Sequence, residues 1–232
     1  MLDPNTLTER ELARLFDHTN LKPYATEADF ATLCREAQTF GFGMVAINSA
    51  QVRRCKRLLK GSDVHVGAAI GFPLGQTTIA DKVFETRTAI EEGADEIDYV
   101  VNLSELKNGD WAYVEEEMRQ IVAVCRSAGV ISKVIFETCY LTKEEIVALA
   151  QIARRVEPDF IKTSTGFGTK GATPENVALM CQTVGERVKV KAAGGIHTWA
   201  ECRAMLEAGA ERIGTSSSLR ILEEFRAARR DR

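Results

Sequence analysis

Short apolar runs rich in β-branched residues alternate with stretches of helical periodicity along the whole chain. The runs Leu15–Leu21, Met44–Asn48, Val64–Ile70, Glu96–Val101, Ser132–Thr138, Phe160–Thr163, Lys189–Ala193 and Arg212–Thr215 read as strands. "VAIN", "KVIFET" and "VKVKAAGG" are near-continuous rather than alternating, as expected of parallel strands covered on both faces. Between the runs, helical spacing predicts helices over Glu27–Phe40, Gln51–Leu59, Ile79–Glu92, Tyr113–Ser127, Lys143–Arg154, Glu175–Thr183, Trp199–Glu207 and Leu219–Ala228, with an opening helix near Thr8–Arg14. Thr26, Thr142 and the Thr173–Pro174 pair are start signals. Gly41, Gly93, Gly129 and Gly209 are stop signals. Eight strand–helix units predict an α/β fold, a closed (β/α)8 barrel with a short extra N-terminal helix. An open doubly wound sheet is the alternative, but it usually carries a Gly-rich dinucleotide turn after its first strand, and none follows Leu15–Leu21. No Pro/Gly/Ser-rich linker divides the 232 residues, so one barrel domain over 1–232 is expected.

Composition narrows the class without naming a chemistry. The chain is 45% hydrophobic, enough for a core and against disorder. Its 30 Lys+Arg against 33 Asp+Glu give a net charge of −3, which offers no general basic surface for nucleic acid or anionic lipid. No apolar run reaches about 18 residues, and Met1–Arg14 is polar without a signal-peptide core. A cytoplasmic protein with no nucleic-acid and no membrane partner is the expectation. The 6 cysteines form no CxxC, so reduced, mostly buried thiols are the default, Cys139 after the fifth strand being the one candidate for an active-site thiol. His18, His65 and His197 lack metal-ligand spacing, and no metal is expected.

Charge inside strands is more informative, because burying an ionisable group in a barrel wall carries a large desolvation cost. Asp98, Lys162 and Lys191 lie late in their strands, toward the barrel face where active sites are built. Any single strand lysine can instead snorkel outward between helices, and Lys133 and Lys189, at strand starts, are read that way. Two late lysines with a carboxylate suit imine chemistry. An amine of pKa ~10.4 is neutral in only about 1 molecule in 2,500 at pH 7. A second ammonium ~6 Å away at an effective dielectric of ~20 supplies roughly 2.8 kcal/mol, or about 2 pKa units. Desolvation is expected to provide the rest, leaving a nucleophile, its activator and a carboxylate for proton transfer. Spacing does not say which lysine is the nucleophile. After the seventh and eighth strands, "AAGGIHT" and "RIGTSSSL" place Gly194, Gly195, Gly214, Ser216 and Ser217 in turns suited to an anion.

At these residues the sequence resembles the deoxyribose-phosphate aldolase family of class I aldolases. The shared motifs are "FDHTNLKP", "IGFPLGQTT", "ETRTAIEEGADEIDYVVN", "KVIFET", "FIKTSTGF", "KAAGGIHT" and "RIGTSSS", in order from Phe16 to Ser218. The resemblance implies a TIM barrel. It also implies a lyase that reversibly cleaves 2-deoxy-D-ribose 5-phosphate into D-glyceraldehyde 3-phosphate and acetaldehyde, in deoxynucleoside catabolism. By motif it implies Lys162 as the Schiff-base lysine, Lys191 as pKa-depressing proton carrier, Asp98 as acid/base and Asp17 as part of a supporting network. Phosphate contacts are implied for Gly166, Gly194, Gly195, Gly214, Ser216 and Ser217, with a phosphosugar substrate, no metal and no cofactor. The retro-aldol break is placed between C3 and C4, and monomers or homodimers are expected. Ala46, Ser49 and His197 depart from the family pattern, His197 standing where an arginine is frequent and so weakening phosphate attraction. The rival readings are a Schiff-base aldolase for another phosphosugar, a non-covalent isomerase, and a silent binding barrel.

Overall fold

A computed structural model of the chain describes residues 3–230. Its strands are β1 (Phe16–Thr19), β2 (Met44–Asn48), β3 (His65–Ile70), β4 (Glu96–Val100), β5 (Ile131–Ile135), β6 (Phe160–Lys162), β7 (Lys189–Ala193) and β8 (Arg212–Thr215). They run parallel in sequence order, and β8 closes on β1 through the register Asp17↔Gly214. The fold is a (β/α)8 TIM barrel. The helices are α1 (Glu9–Arg14), α2 (Glu27–Phe40), α3 (Val52–Leu58), α4 (Ile79–Glu91), α5 (Leu103–Lys107), α6 (Trp111–Ala128), α7 (Lys143–Val156), α8 (Pro174–Val184), α9 (Trp199–Glu207) and α10 (Ser218–Arg230).

Local chemistry fixes these boundaries. Thr8, Thr26, Thr78, Thr142 and Thr198 each cap a helix through a reciprocal box with an acidic residue three positions on. Thr173 caps α8, whose first residue is Pro174. Gly41 and Gly129 close α2 and α6 in the left-handed conformation. Several places differ from the sequence pattern; the first strand, expected over Leu15–Leu21, spans only Phe16–Thr19. The five-residue α5 was not expected; the Asn102 side chain starts it by accepting from the Ser104 and Glu105 N–H groups. The expected strand Ser132–Thr138 ends at Ile135, because Glu137 takes a left-handed conformation (φ 53°) and a 3-10 turn follows over Thr138–Tyr140.

Strand alternation sorts the barrel into two unlike faces. Outward residues such as Val45, Val66, Ile97, Val134, Ile161, Val190 and Ile213 join the helices in one apolar core. The inward face is built differently. It carries Asp17, Glu96, Asp98, Lys133, Lys162 and Lys191, all buried. Glycine makes the room: a Cβ on Gly67 would lie 2.3 Å from Met44 Sδ, and one on Gly214 would lie 3.0 Å from Lys191 Cε.

Candidate active site

At the C-terminal mouth of the barrel lies a cavity of about 590 Å³, walled by the loops after β1, β6, β7 and β8 and by one face of α2. Lys162, the last residue of β6, reaches its wall. Asp98, Lys191 and Asp17 lie beneath it, buried. Asp98 Oδ2 accepts from Lys162 Nζ at 2.9 Å and from Lys191 Nζ at 2.7 Å. Its other oxygen, Oδ1, accepts from Lys133 Nζ at 2.7 Å. Lys191 also pairs with Asp17, which accepts on Oδ1 from Arg212 Nη2 at 2.6 Å.

Lys133 corrects the sequence reading. It does not snorkel outward; it is wholly buried against Asp98, Glu96 and Met44. Pairing in register with Asp98 across β4 and β5 directs it inward. Lys189, in contrast, is exposed.

Burial dominates the electrostatics. It pushes the Lys162 amine down to about 8, the Asp98 carboxylate opposing it and Lys191 reinforcing it. Desolvation is thus the larger cause and the second ammonium the smaller, the reverse of the order expected from the sequence. Burial would raise the Asp98 carboxyl, but Lys133, Lys162 and Lys191 outweigh it and hold the group well below the usual carboxylate range. Asp98 is therefore an anion with both oxygens engaged.

Glu137, in the "KVIFET" run, has no role that the sequence predicts. Its carboxylate is buried, accepts from the Thr165 N–H at 3.2 Å, and meets the Thr165 hydroxyl. It thereby holds the loop that follows Lys162. Outside the C-terminal end of β4, where α4 and α6 pack, Lys82 and Glu117 form a wholly buried ion pair at 2.6 Å. Lys82 Nζ donates to the Val100 carbonyl at 2.8 Å, and Glu117 accepts from the Asn102 N–H at 3.0 Å, so the pair pins the chain just past Asp98. Cys139 stands outside the cavity wall, its Sγ 3.9 Å from Glu137 Oε1.

Of the anion-loop residues, Gly166, Gly194, Gly195, Gly214 and Ser216 line the cavity. Ser217 stands behind them: its N–H donates to Thr215 Oγ1 at 2.9 Å, and its hydroxyl meets His197 Nδ1 at 3.2 Å. The β6 and β7 loops interlock through glycine, since a Cβ on Gly171 would sit 2.1 Å from the Gly194 carbonyl oxygen. His197 lines the same end of the cavity. Among the described residues no cluster of three or more His, Cys, Asp or Glu is arranged to hold a metal ion, and no helix is long and apolar enough to cross a membrane.

A buried lysine thus stands at the cavity wall, over a carboxylate shared with two further lysines. The model of the DeoC/LacD family aldolase matches residues 12–223. The chain belongs to the DeoC/LacD aldolase family. Among the family's proteins, deoxyribose-phosphate aldolase of Lactobacillus acidophilus is 54% identical over 221 residues, covering 95% of this chain and 93% of the relative. That of Thermococcus gammatolerans is 51% identical, covering 94% of this chain and 98% of the relative. The solved structure of the tetrameric deoxyribose phosphate aldolase of Aeropyrum pernix superposes with a TM-score of 0.88 at 34% identity, covering 95% of this chain and 93% of that one. The DeoC/LacD assignment makes the chain an aldolase, hence a lyase.

Proposed function

We propose that this aldolase reversibly cleaves 2-deoxy-D-ribose 5-phosphate into D-glyceraldehyde 3-phosphate and acetaldehyde through a Schiff base on Lys162, in deoxynucleoside catabolism. One observation carries the choice of nucleophile: of the strand lysines gathered round Asp98, only Lys162 reaches the cavity wall. An amine at about 8 is neutral in roughly one molecule in ten at pH 7, some 200-fold more than an unperturbed lysine.

In this mechanism the neutral Lys162 amine adds to the C1 aldehyde of the open-chain sugar. Lys191 donates the proton with which the carbinolamine hydroxyl leaves as water, and the iminium becomes the electron sink. The C3 hydroxyl loses its proton toward Asp98, directly or through water, as the carbon–carbon bond breaks. The products hold two and three carbons, so that bond is C2–C3 and not C3–C4. The enamine then takes a proton at C2 from the Asp98–Lys191 pair, and hydrolysis of the iminium frees acetaldehyde and Lys162. Asp17 holds Lys191 from below. Gly166, Gly194, Gly195, Gly214 and Ser216 bind the phosphate, with Ser217 supporting His197 behind them.

Acetaldehyde with borohydride, followed by peptide mapping, tests the assignment. A reduced two-carbon adduct on the Lys162 peptide is expected; an adduct on another lysine, or none, overturns it. The reading includes a cytoplasmic homodimer, and light scattering separates that from a tetramer like the one named for the Aeropyrum pernix relative.

A further inference from the structure

The charges beneath Lys162 do not stop at Asp98. Glu96, the first residue of β4, lies two positions before Asp98 on the same strand face and is likewise buried. It sits toward the end of the barrel opposite the cavity, where its carboxylate pairs with Lys133 on β5, accepts from Arg212 Nη2 on β8 at 3.0 Å, and meets His65 Nδ1 on β3 at 2.8 Å. Followed contact by contact, the network closes. Glu96 pairs with Lys133, Lys133 with Asp98, Asp98 with Lys191, Lys191 with Asp17, Asp17 with Arg212, and Arg212 with Glu96 again. Anion and cation alternate at every step. Lys162 hangs from the ring at Asp98, one cation beyond its balance.

We propose that Glu96 and Arg212 are positioning residues for the aldol chemistry, holding Asp98 and Lys191 through this closed ring from the end of the barrel opposite the cavity. The inference rests on the Schiff-base reading. Glu96 sits on one arm and fixes Lys133, which occupies Asp98 Oδ1 and so turns Oδ2 toward Lys162 and Lys191. Arg212 sits on the other and fixes Asp17, which holds Lys191. Each is too deep to touch a substrate in the cavity. The other charged group facing Glu96 is the half-exposed His65, which Asp95 also influences.

Two single-charge changes then act on Lys162 with opposite sign. Glu96→Gln removes an anion and leaves Asp98 as the one carboxylate holding Lys133. Asp98 is drawn away from Lys162, the surroundings become more positive, and the neutral amine is favoured at lower pH. Arg212→Gln removes a cation, and the neutral amine is favoured only at higher pH.

The test measures cyanoborohydride trapping of acetaldehyde against pH, each variant scaled to its own high-pH plateau. For charges on the order of 10 Å apart at an effective dielectric of ~20, shifts of roughly one pH unit are expected, on the order of tenfold in rate at a fixed pH below the limb. The limb should fall in Glu96→Gln, rise in Arg212→Gln, and return toward the unsubstituted position in Arg212→Lys. A merely structural role would lower thermal stability and plateau rate while leaving the limb in place. Limbs that stay fixed, or that move in the same direction, overturn the proposal. If Glu96→Gln does not fold, His65→Gln at the half-exposed end removes a donor to Glu96 and should move the limb upward, and an unmoved limb there overturns it equally. A Lys162 adduct in the unsubstituted enzyme with unmoved limbs defeats the ring alone, whereas no adduct there defeats the Schiff-base reading and the ring with it.

Discussion

Removing the Lys191 charge should shift the pH at which Lys162 becomes reactive, by an amount the geometry sets. Lys162 Nζ and Lys191 Nζ lie 2.9 and 2.7 Å from the same Asp98 oxygen, so they are at most about 5.6 Å apart. Two unit charges at that distance, in an effective dielectric of ~20, repel by about 3 kcal/mol, or roughly 2 pKa units. Lys191→Met deletes this repulsion and leaves Oδ2 of Asp98 to Lys162 alone. Both effects favour the protonated amine.

The sign follows from which form reacts. Protonated Lys162 is inert, so in the unsubstituted enzyme trapping should rise about tenfold per pH unit below about 8 and flatten above it. In Lys191→Met the limb should move to near pH 10, making trapping at pH 7 on the order of 100-fold slower while it recovers at high pH. The position of the limb is the discriminating feature, because the loss of Lys191 as proton carrier lowers the rate at every pH alike and only the lost repulsion moves the limb. Asp17 keeps its Arg212 partner at 2.6 Å in the variant, so thermal unfolding should confirm a folded protein. A limb that stays near pH 8 refutes burial-plus-repulsion as the origin of the reactive lysine.

Other perturbations separate the remaining parts. Asp98→Asn should leave trapping at pH 6 undiminished, since the carboxylate is what opposes deprotonation of Lys162, yet lower steady-state turnover by roughly 10²–10⁴-fold through loss of acid/base transfer. Glu137→Ala should destabilise by about 1–3 kcal/mol in chemical denaturation and slow trapping, because the buried Thr165 N–H and hydroxyl lose their acceptor. His197→Arg should lower KM for the phosphorylated sugar by up to about tenfold, with little change for free deoxyribose. Lys82→Met should cost about 3–5 kcal/mol in unfolding free energy by stranding Glu117, and Lys82→Met with Glu117→Leu should recover most of it.

The legible and illegible parts of the site differ for a physical reason. Strand order, helix starts and the late-strand residues Asp98, Lys162 and Lys191 follow from apolar runs, threonine caps and the cost of burying charge. Glu96, Lys133 and Arg212 escaped because a polar residue opening a strand is ordinarily a solvated end. The two-residue period relating Glu96 to Asp98 was available, but the registers bringing Lys133 beside Asp98 and Arg212 beside Lys191 appear only once the barrel closes. Glu137 was hidden because nothing in "KVIFET" marks a left-handed residue that is not glycine or asparagine. The five-residue α5 has too few turns for a periodic signal.

Charge in the barrel interior also explains how an amine can be poised rather than merely buried. TIM barrels are commonly filled by branched aliphatics; here the apolar packing is carried by the outward strand faces and the helices, which leaves the inward face free for ionic groups. A lone lysine in that space would be driven neutral by desolvation, and one with a private carboxylate would be held charged. Lys162 has neither surrounding. Its carboxylate is shared with Lys133 and Lys191, and the ring to which Asp98 belongs is balanced without it. Opposing effects of burial and attraction leave the amine at about 8, within reach of both states near neutral pH. The proposed Schiff-base cycle needs both, since Lys162 would be a neutral nucleophile when it attacks and would carry positive charge as the iminium when the C2–C3 bond breaks. Mutations that unbalance the ring in either direction should therefore impair turnover at neutral pH: excess positive charge opposes the iminium, and excess negative charge silences the amine.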